Sequence, residues 1–151
     1  MRETWFQRQR RLSDERNTVA QHEYEIEAIK AHHAPKIAKA KTVSAQALHE
    51  AEEQEYFEVS IQYDLIDAIR TKQLIREAIR LGVPVPRHSK ESDFWYESRQ
   101  LGSKHLTDDG QHFLRREIAS EIELRQKPFL TWGAFLISVL GLCISMIAIA
   151  Q

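Results

Sequence analysis

Glycine is scarce in this chain, with five in 151 residues and none between Asp14 and Leu81. That scarcity excludes a Gly-rich phosphate loop and a glycine-flanked nucleophile elbow, and it leaves little backbone suited to the strained turns of an active site. Of the four prolines only Pro35 falls within that stretch. The single cysteine, Cys143, has no partner for an intrachain disulfide or a thiolate metal site. The opening MRETWFQRQRRL has no apolar core, so a signal peptide is not expected. A net charge of -1 gives no argument for nucleic-acid binding. Charge of either sign is missing altogether from Phe129 to Ala150, which reads FLTWGAFLISVLGLCISMIAIA.

That last absence is also the strongest positive signal. A bilayer core needs about 20 apolar residues as a helix, so the run is long enough to cross one. Arg115, Arg116, Arg125 and Lys127 precede it closely, and only Gln151 follows it here. The bias places the N-terminal bulk in the cytoplasm, and the expectation is a tail-anchored, single-pass protein of the cell membrane. Small residues recur along the run at Ala134, Ser138, Gly141, Ser145 and Ala148, spaced 4, 3, 4 and 3. In lipid, close backbone approach rather than hydrophobicity drives helix association, so this stripe is read as a seam for a homo-oligomer. Its seven-residue repeat implies a left-handed crossing.

The residues before the run are charged in blocks. Residues 1–41 hold nine Lys/Arg and six Asp/Glu, residues 42–69 hold seven acidic and no basic side chains, and residues 70–90 hold six basic and one acidic. Good helix formers dominate 14–81, and the expectation is a helical hairpin or coiled coil with a kink or a break near Pro35. Phe57, Ile61, Leu65 and Ile69, then Ile75 and Ile79, suggest an apolar stripe on the second piece. Such a stripe needs a partner, either residues 14–33 folding back or a second copy. In an antiparallel pairing, Glu50, Glu52, Glu53, Glu55 and Glu58 would face Lys30, Lys36, Lys39 and Lys41 or Arg70, Lys72, Arg76 and Arg80.

Gly82 supplies a C-cap, and Pro84 and Pro86 keep the helix from resuming. Residues 82–106 are then an irregular linker containing Phe94, Trp95 and Tyr96. Thr107 offers an N-cap, with Asp108 and Asp109 favourably placed in the first turn of a juxtamembrane helix over 107–127. The anchor follows over 128–151. At the other end, residues 1–13 read as a basic aromatic arm. Trp5 and Phe6 with Arg8, Arg10 and Arg11 suit contact with anionic lipid or an acidic partner, while Phe94, Trp95 and Tyr96 are expected to pack on the helices or lie at the membrane interface, with a partner contact as the alternative.

The sequence GVPVP at 82–86, Trp95, LTDDG at 106–110, Leu114-Arg115-Arg116 and the Trp-containing terminal run resemble a loose group of small bacterial membrane proteins. The resemblance covers the C-terminal half and implies a bacterial inner membrane with one terminal transmembrane helix. It implies no activity and no cofactor. The LTDDG stretch also resembles a helix start of winged-helix regulators, although neither their strands nor their recognition helix is expected beside it.

Chemistry finds no foothold. His32, His33 and His49 lack the same-face i, i+4 partners of a metal site. The 50–58 carboxylates read as a solvated face rather than a catalytic pair. The expectation is therefore an all-α, non-enzymatic protein with no catalytic, metal or cofactor residues. Its role would be a membrane-tethered scaffold or adaptor that self-associates and presents charged helices to a cytoplasmic or membrane protein partner. The alternative is an oligomeric pore, weakened by the absence of charged or amide side chains in the run.

Overall fold

The computed structural model describes residues 3–88 and 92–149, with side chains for 3–88 and 92–128. Its elements in chain order are α1 (Trp5–Lys41), α2 (Ala45–Leu81), β1 (Trp95–Glu97), β2 (Lys104–Leu106) and α3 (Asp108–Ile149). The protein is mostly helical.

A capping box starts α1: the Thr4 hydroxyl accepts from the Gln7 amide, and the Gln7 side chain accepts from the Thr4 amide. The residues expected as an N-terminal arm are thus the first turns of a 37-residue helix. Pro35 lies inside α1 and does not end it, contrary to the expected break. A proline within a helix deletes one hydrogen bond, here to the Ala31 carbonyl, and packing against α2 on both sides of that position outweighs the loss. The chain reverses instead at Thr42–Ser44, where the Ser44 hydroxyl accepts from the Ala47 amide and starts α2. Gly82 closes α2 at φ 75°, a left-handed conformation open to glycine without penalty.

α1 and α2 form an antiparallel hairpin within one chain. Arg8 pairs with Glu77 at 2.8 Å, Glu15 with Arg76, and Glu23 with Arg70 at 3.5 Å. Further along, His22 Nδ1 is 2.7 Å from Gln62 Oε1 and His33 lies against Glu58. Two of these ion pairs join an acid of α1 to a base of α2, and Arg8–Glu77 runs the other way. Lys30 instead pairs within α1, with Glu27 at 3.0 Å.

The core has two parts, and α2 belongs to both. Ile26, Val59 and Ile66 are buried between α1 and α2, with Val19 and Ile29 against them. Ala78, Leu81, Val83, Leu106, Leu114 and Ile118 form the second cluster, closed by Leu74, Val85, Trp95 and Ile122. Full burial of a leucine such as Leu114 is worth about 1.5–3 kcal/mol. The expected stripe from Phe57 to Ile79 is not the buried face, since Phe57 and Ile79 are exposed. Steps of four advance about 40° around a helix, so a four-residue stripe drifts off any straight partner. The seven-residue spacing of Val59 and Ile66 stays on it.

Residues 95–106 correct the expectation of an irregular linker. β1 and β2 pair antiparallel, with Trp95 opposite Leu106, Tyr96 opposite His105 and Glu97 opposite Lys104. Gly102 at φ 57° turns the ribbon, and the Ser98 amide donates to the Ser103 carbonyl at 2.9 Å. Three-residue strands are too short to show the alternation by which strands are recognised.

α3 runs on through Pro128 to Ile149 as one helix. The uncharged run at 129–150 and its seam, Ala134, Ser138, Gly141, Ser145 and Ala148, lie outside the residues with described side chains. Among the residues with described side chains, which stop at 128, no helix is long and apolar enough to cross a membrane.

Candidate functional site

The hairpin separates charge along its length. At 37 residues each, its helices are about 55 Å long. Its distal end, around the turn at Thr42–Ser44, carries Glu50, Glu52, Glu53, Glu55 and Glu58, of which only Glu55 is half-buried, beside the fewer exposed bases Lys36, Lys39 and Lys41. Val43, Tyr56 and Phe57 are exposed among them. An open hollow of about 710 Å³ lies there, lined by Lys36, Ala47, Glu50, Ala51, Glu53 and Phe57 among others. Alanines on the floor let a partner helix approach closely, the aromatic ring offers apolar area, and the carboxylates favour a cation on what binds. No sequence motif marks this hollow. Its residues recur at helical spacing, yet only the partner helix shows which side stays open.

Just below it, the His33 ring is 1% exposed. Its Nε2 is 3.2 Å from Glu58 Oε2, but the ring N–H does not point at the carboxylate, and neither ring nitrogen makes a hydrogen bond. The distance gives charge attraction if the ring is protonated; the angle denies a directional bond. His32 stacks edge-on to His33 at 5.4 Å, and its Nε2 is 2.8 Å from Lys36 Nζ. The third histidine singled out in the sequence, His49, lies apart from them, 3.3 Å from Glu53. Among the described residues no group of three His, Cys, Asp or Glu side chains is placed to hold a metal ion.

A second polar cluster fastens the ribbon to α2. The Tyr96 hydroxyl has Asp64 Oδ1 at 3.3 Å and Asp67 Oδ2 at 3.1 Å, two carboxylates one turn apart sharing its single proton. Ser98 Oγ also donates to Asp64, and the Thr71 hydroxyl accepts from the Leu106 amide at 3.0 Å. Burial, together with the charges of Asp67 and Asp64, pushes the Tyr96 phenol well above its ordinary range. Burial lowers the affinity of His105 for a proton, against the pull of Asp64 and Asp67. A neutral His105 lies 2.8 Å from Ser103 Oγ through Nε2, with one of the two donating according to tautomer. The pair resembles a nucleophile and base only in composition. Ser103 immediately precedes β2, which carries His105, and the cluster's donors and acceptors satisfy one another.

The expected aromatic contacts fall into two groups. Trp95 packs on the second core cluster and donates Nε1–H to the Pro86 carbonyl at 3.1 Å. Phe94 stacks on Phe113 at 5.0 Å, so all three linker aromatics contact the fold itself. Trp5 and Phe6 do not pack inward; their rings meet edge to face at 4.8 Å in the open. Near them Arg8 is bound to Glu77, Arg11 pairs with Glu3 at 2.9 Å and Glu15 at 3.3 Å, and Arg10 is exposed. Hydrogen bonds from Arg80 and the nearby Arg8 hold the Glu77 carboxyl below its usual range. Comparisons of the chain with protein-family models, with curated proteins and with solved structures each find no match.

Proposed function

We propose that the protein is a non-enzymatic, membrane-tethered adaptor: residues 129–150 anchor it as a single span, the anchors self-associate, and the hairpin offers its acidic tip to a cytoplasmic partner. The observation that carries this reading is the arrangement of the ends. α3 leaves the fold beside the C-terminal end of α2, and the acidic, aromatic tip lies a full hairpin length away. An uncharged run of 22 residues, of which 129–149 continue α3, supports the anchor. Several tips held together would raise the effective concentration of individually weak sites. The fitting partner is a basic segment with apolar side chains, matched to Glu50, Glu53 and Phe57.

The test has two parts. Washing native membranes at high pH should leave the chain in the pellet; release into the supernatant rejects the anchor. From washed membranes, the Glu50→Lys/Glu53→Lys double variant should lose at least about tenfold in recovery of any protein that the wild-type chain captures, a loss of about 1.4 kcal/mol or more. Equal recovery by the two chains rejects the tip as the docking surface.

A further inference from the structure

The opposite end of the hairpin is built unlike its tip. The Arg8–Glu77 pair sets the first turn of α1 level with the last turn of α2. At that level Arg125 Nη2 donates to the Leu81 carbonyl at 2.5 Å, which brings α3 to the same end. Four residues after Arg125 the uncharged run begins, about 6 Å further along the helix axis. Each of the three helices exposes large apolar side chains here. Trp5 is 62% exposed, Phe6 78%, Ile79 68% and Leu124 57%. Arg10, Arg76 and Arg80 are exposed at the same end, Arg76 paired with Glu15 and Arg80 with Glu77.

We infer that this base is a second membrane contact, in which Trp5, Phe6, Ile79 and Leu124 enter the headgroup region of an anionic bilayer. The inference rests on the proposal that residues 129–150 cross that bilayer. Position is the first argument: a base a few ångströms from the start of a span lies at the headgroups whatever else it does. Composition is the second, because an indole beside guanidinium groups suits the boundary between acyl chains and anionic headgroups. Charge is the third. Residues 3–16 and 70–81 hold eight Lys/Arg against four Asp/Glu, whereas residues 36–58 hold three Lys against five Glu, so an anionic surface attracts the base more than the tip and orients the hairpin outward. A second copy of the chain or a soluble protein would not need to be anionic, nor to meet the chain where the span begins.

The experiment uses the full chain with Trp95→Phe and Trp132→Phe, leaving Trp5 as its only indole. It is reconstituted in vesicles of phosphatidylcholine alone or mixed with phosphatidylglycerol, each with and without brominated acyl chains. Trp5 emission should shift to the blue and be quenched severalfold more by brominated lipid in the anionic vesicles, with the difference shrinking at high salt. A second probe avoids any change at Trp95: Phe6→Cys with Cys143→Ser, carrying a polarity-sensitive dye at the exposed position 6, should report the same difference. Equal quenching by aqueous acrylamide in both vesicle types, with none by brominated lipid, overturns the inference. Protection from acrylamide that grows with the ratio of protein to lipid and not with anionic lipid also overturns it, in favour of a second copy. Alkaline flotation of the same vesicles separates the two failures. A chain that no longer floats defeats the anchor itself, whereas a floating chain with a water-exposed Trp5 defeats only the base.

Discussion

Gly110 shows how one residue sets the distance between two elements. It lies in the first turn of α3, where its amide donates to the Thr107 hydroxyl at 3.2 Å. A Cβ there would meet the Phe94 carbonyl oxygen at 2.4 Å and Leu106 Cδ2 at 3.1 Å. The same Phe94 carbonyl accepts from the Thr107 amide at 3.0 Å, so it has no room to retreat without breaking the junction of ribbon and helix. Alanine is the better helix former by about 1 kcal/mol. Overlap with a fixed backbone atom outweighs that gain, and Gly110→Ala should destabilise the chain by about 1–3 kcal/mol, read as a lower midpoint in denaturant. A neutral or stabilising result would mean that the ribbon is free to move. The need for glycine was hidden in LTDDG, because the atom that excludes a side chain comes from sixteen residues earlier.

At the scale of elements, Pro35 is the informative case. It is exposed, so replacing it removes little packing, and it sits where an alanine would restore the amide for the Ala31 carbonyl. Pro35→Ala should therefore stabilise the hairpin by about 1–3 kcal/mol, measured by chemical denaturation followed by circular dichroism. A loss of stability would show that α1 needs the bend a proline imposes. How much of the fold was legible in the sequence follows the range of the forces involved. Local signals were readable: Gly82 as the end of α2, and Thr107, Asp108 and Asp109 as the start of α3. Where tertiary packing decides, they were not. The helix through Pro35, the turn at Thr42–Ser44 with neither glycine nor proline in it, and the Trp95–Leu106 pairing all depend on distant residues. The exposure of Trp5 and Phe6 was open for the same reason, since only the course of α2 shows what fails to cover them. The acidic block at 50–58 could be read as solvated, but its grouping with Val43 and Phe57 around one hollow could not.

For the whole molecule, the proposal of self-association leads to a discriminating pair of substitutions. Gly141→Ile places a branched side chain on the small-residue stripe and should convert oligomers to monomers in detergent or membranes, as read by cross-linking. Leu140→Ile, one residue away and off the stripe, should leave them intact. Equal effects of the two would remove the stripe as the seam. The hydrogen bond from Arg125 to the Leu81 carbonyl bears on the same scale. With Leu114, Ile118 and Ile122 packed on Ala78 and Leu81, it fixes α3 to one end of the rod, so α3 and the hairpin turn together. A tilt of about 10° there would sweep the far turn sideways by about 10 Å, given a lever of about 55 Å. Modest rotations of α3 are thus magnified into large excursions of the carboxylates at the other end.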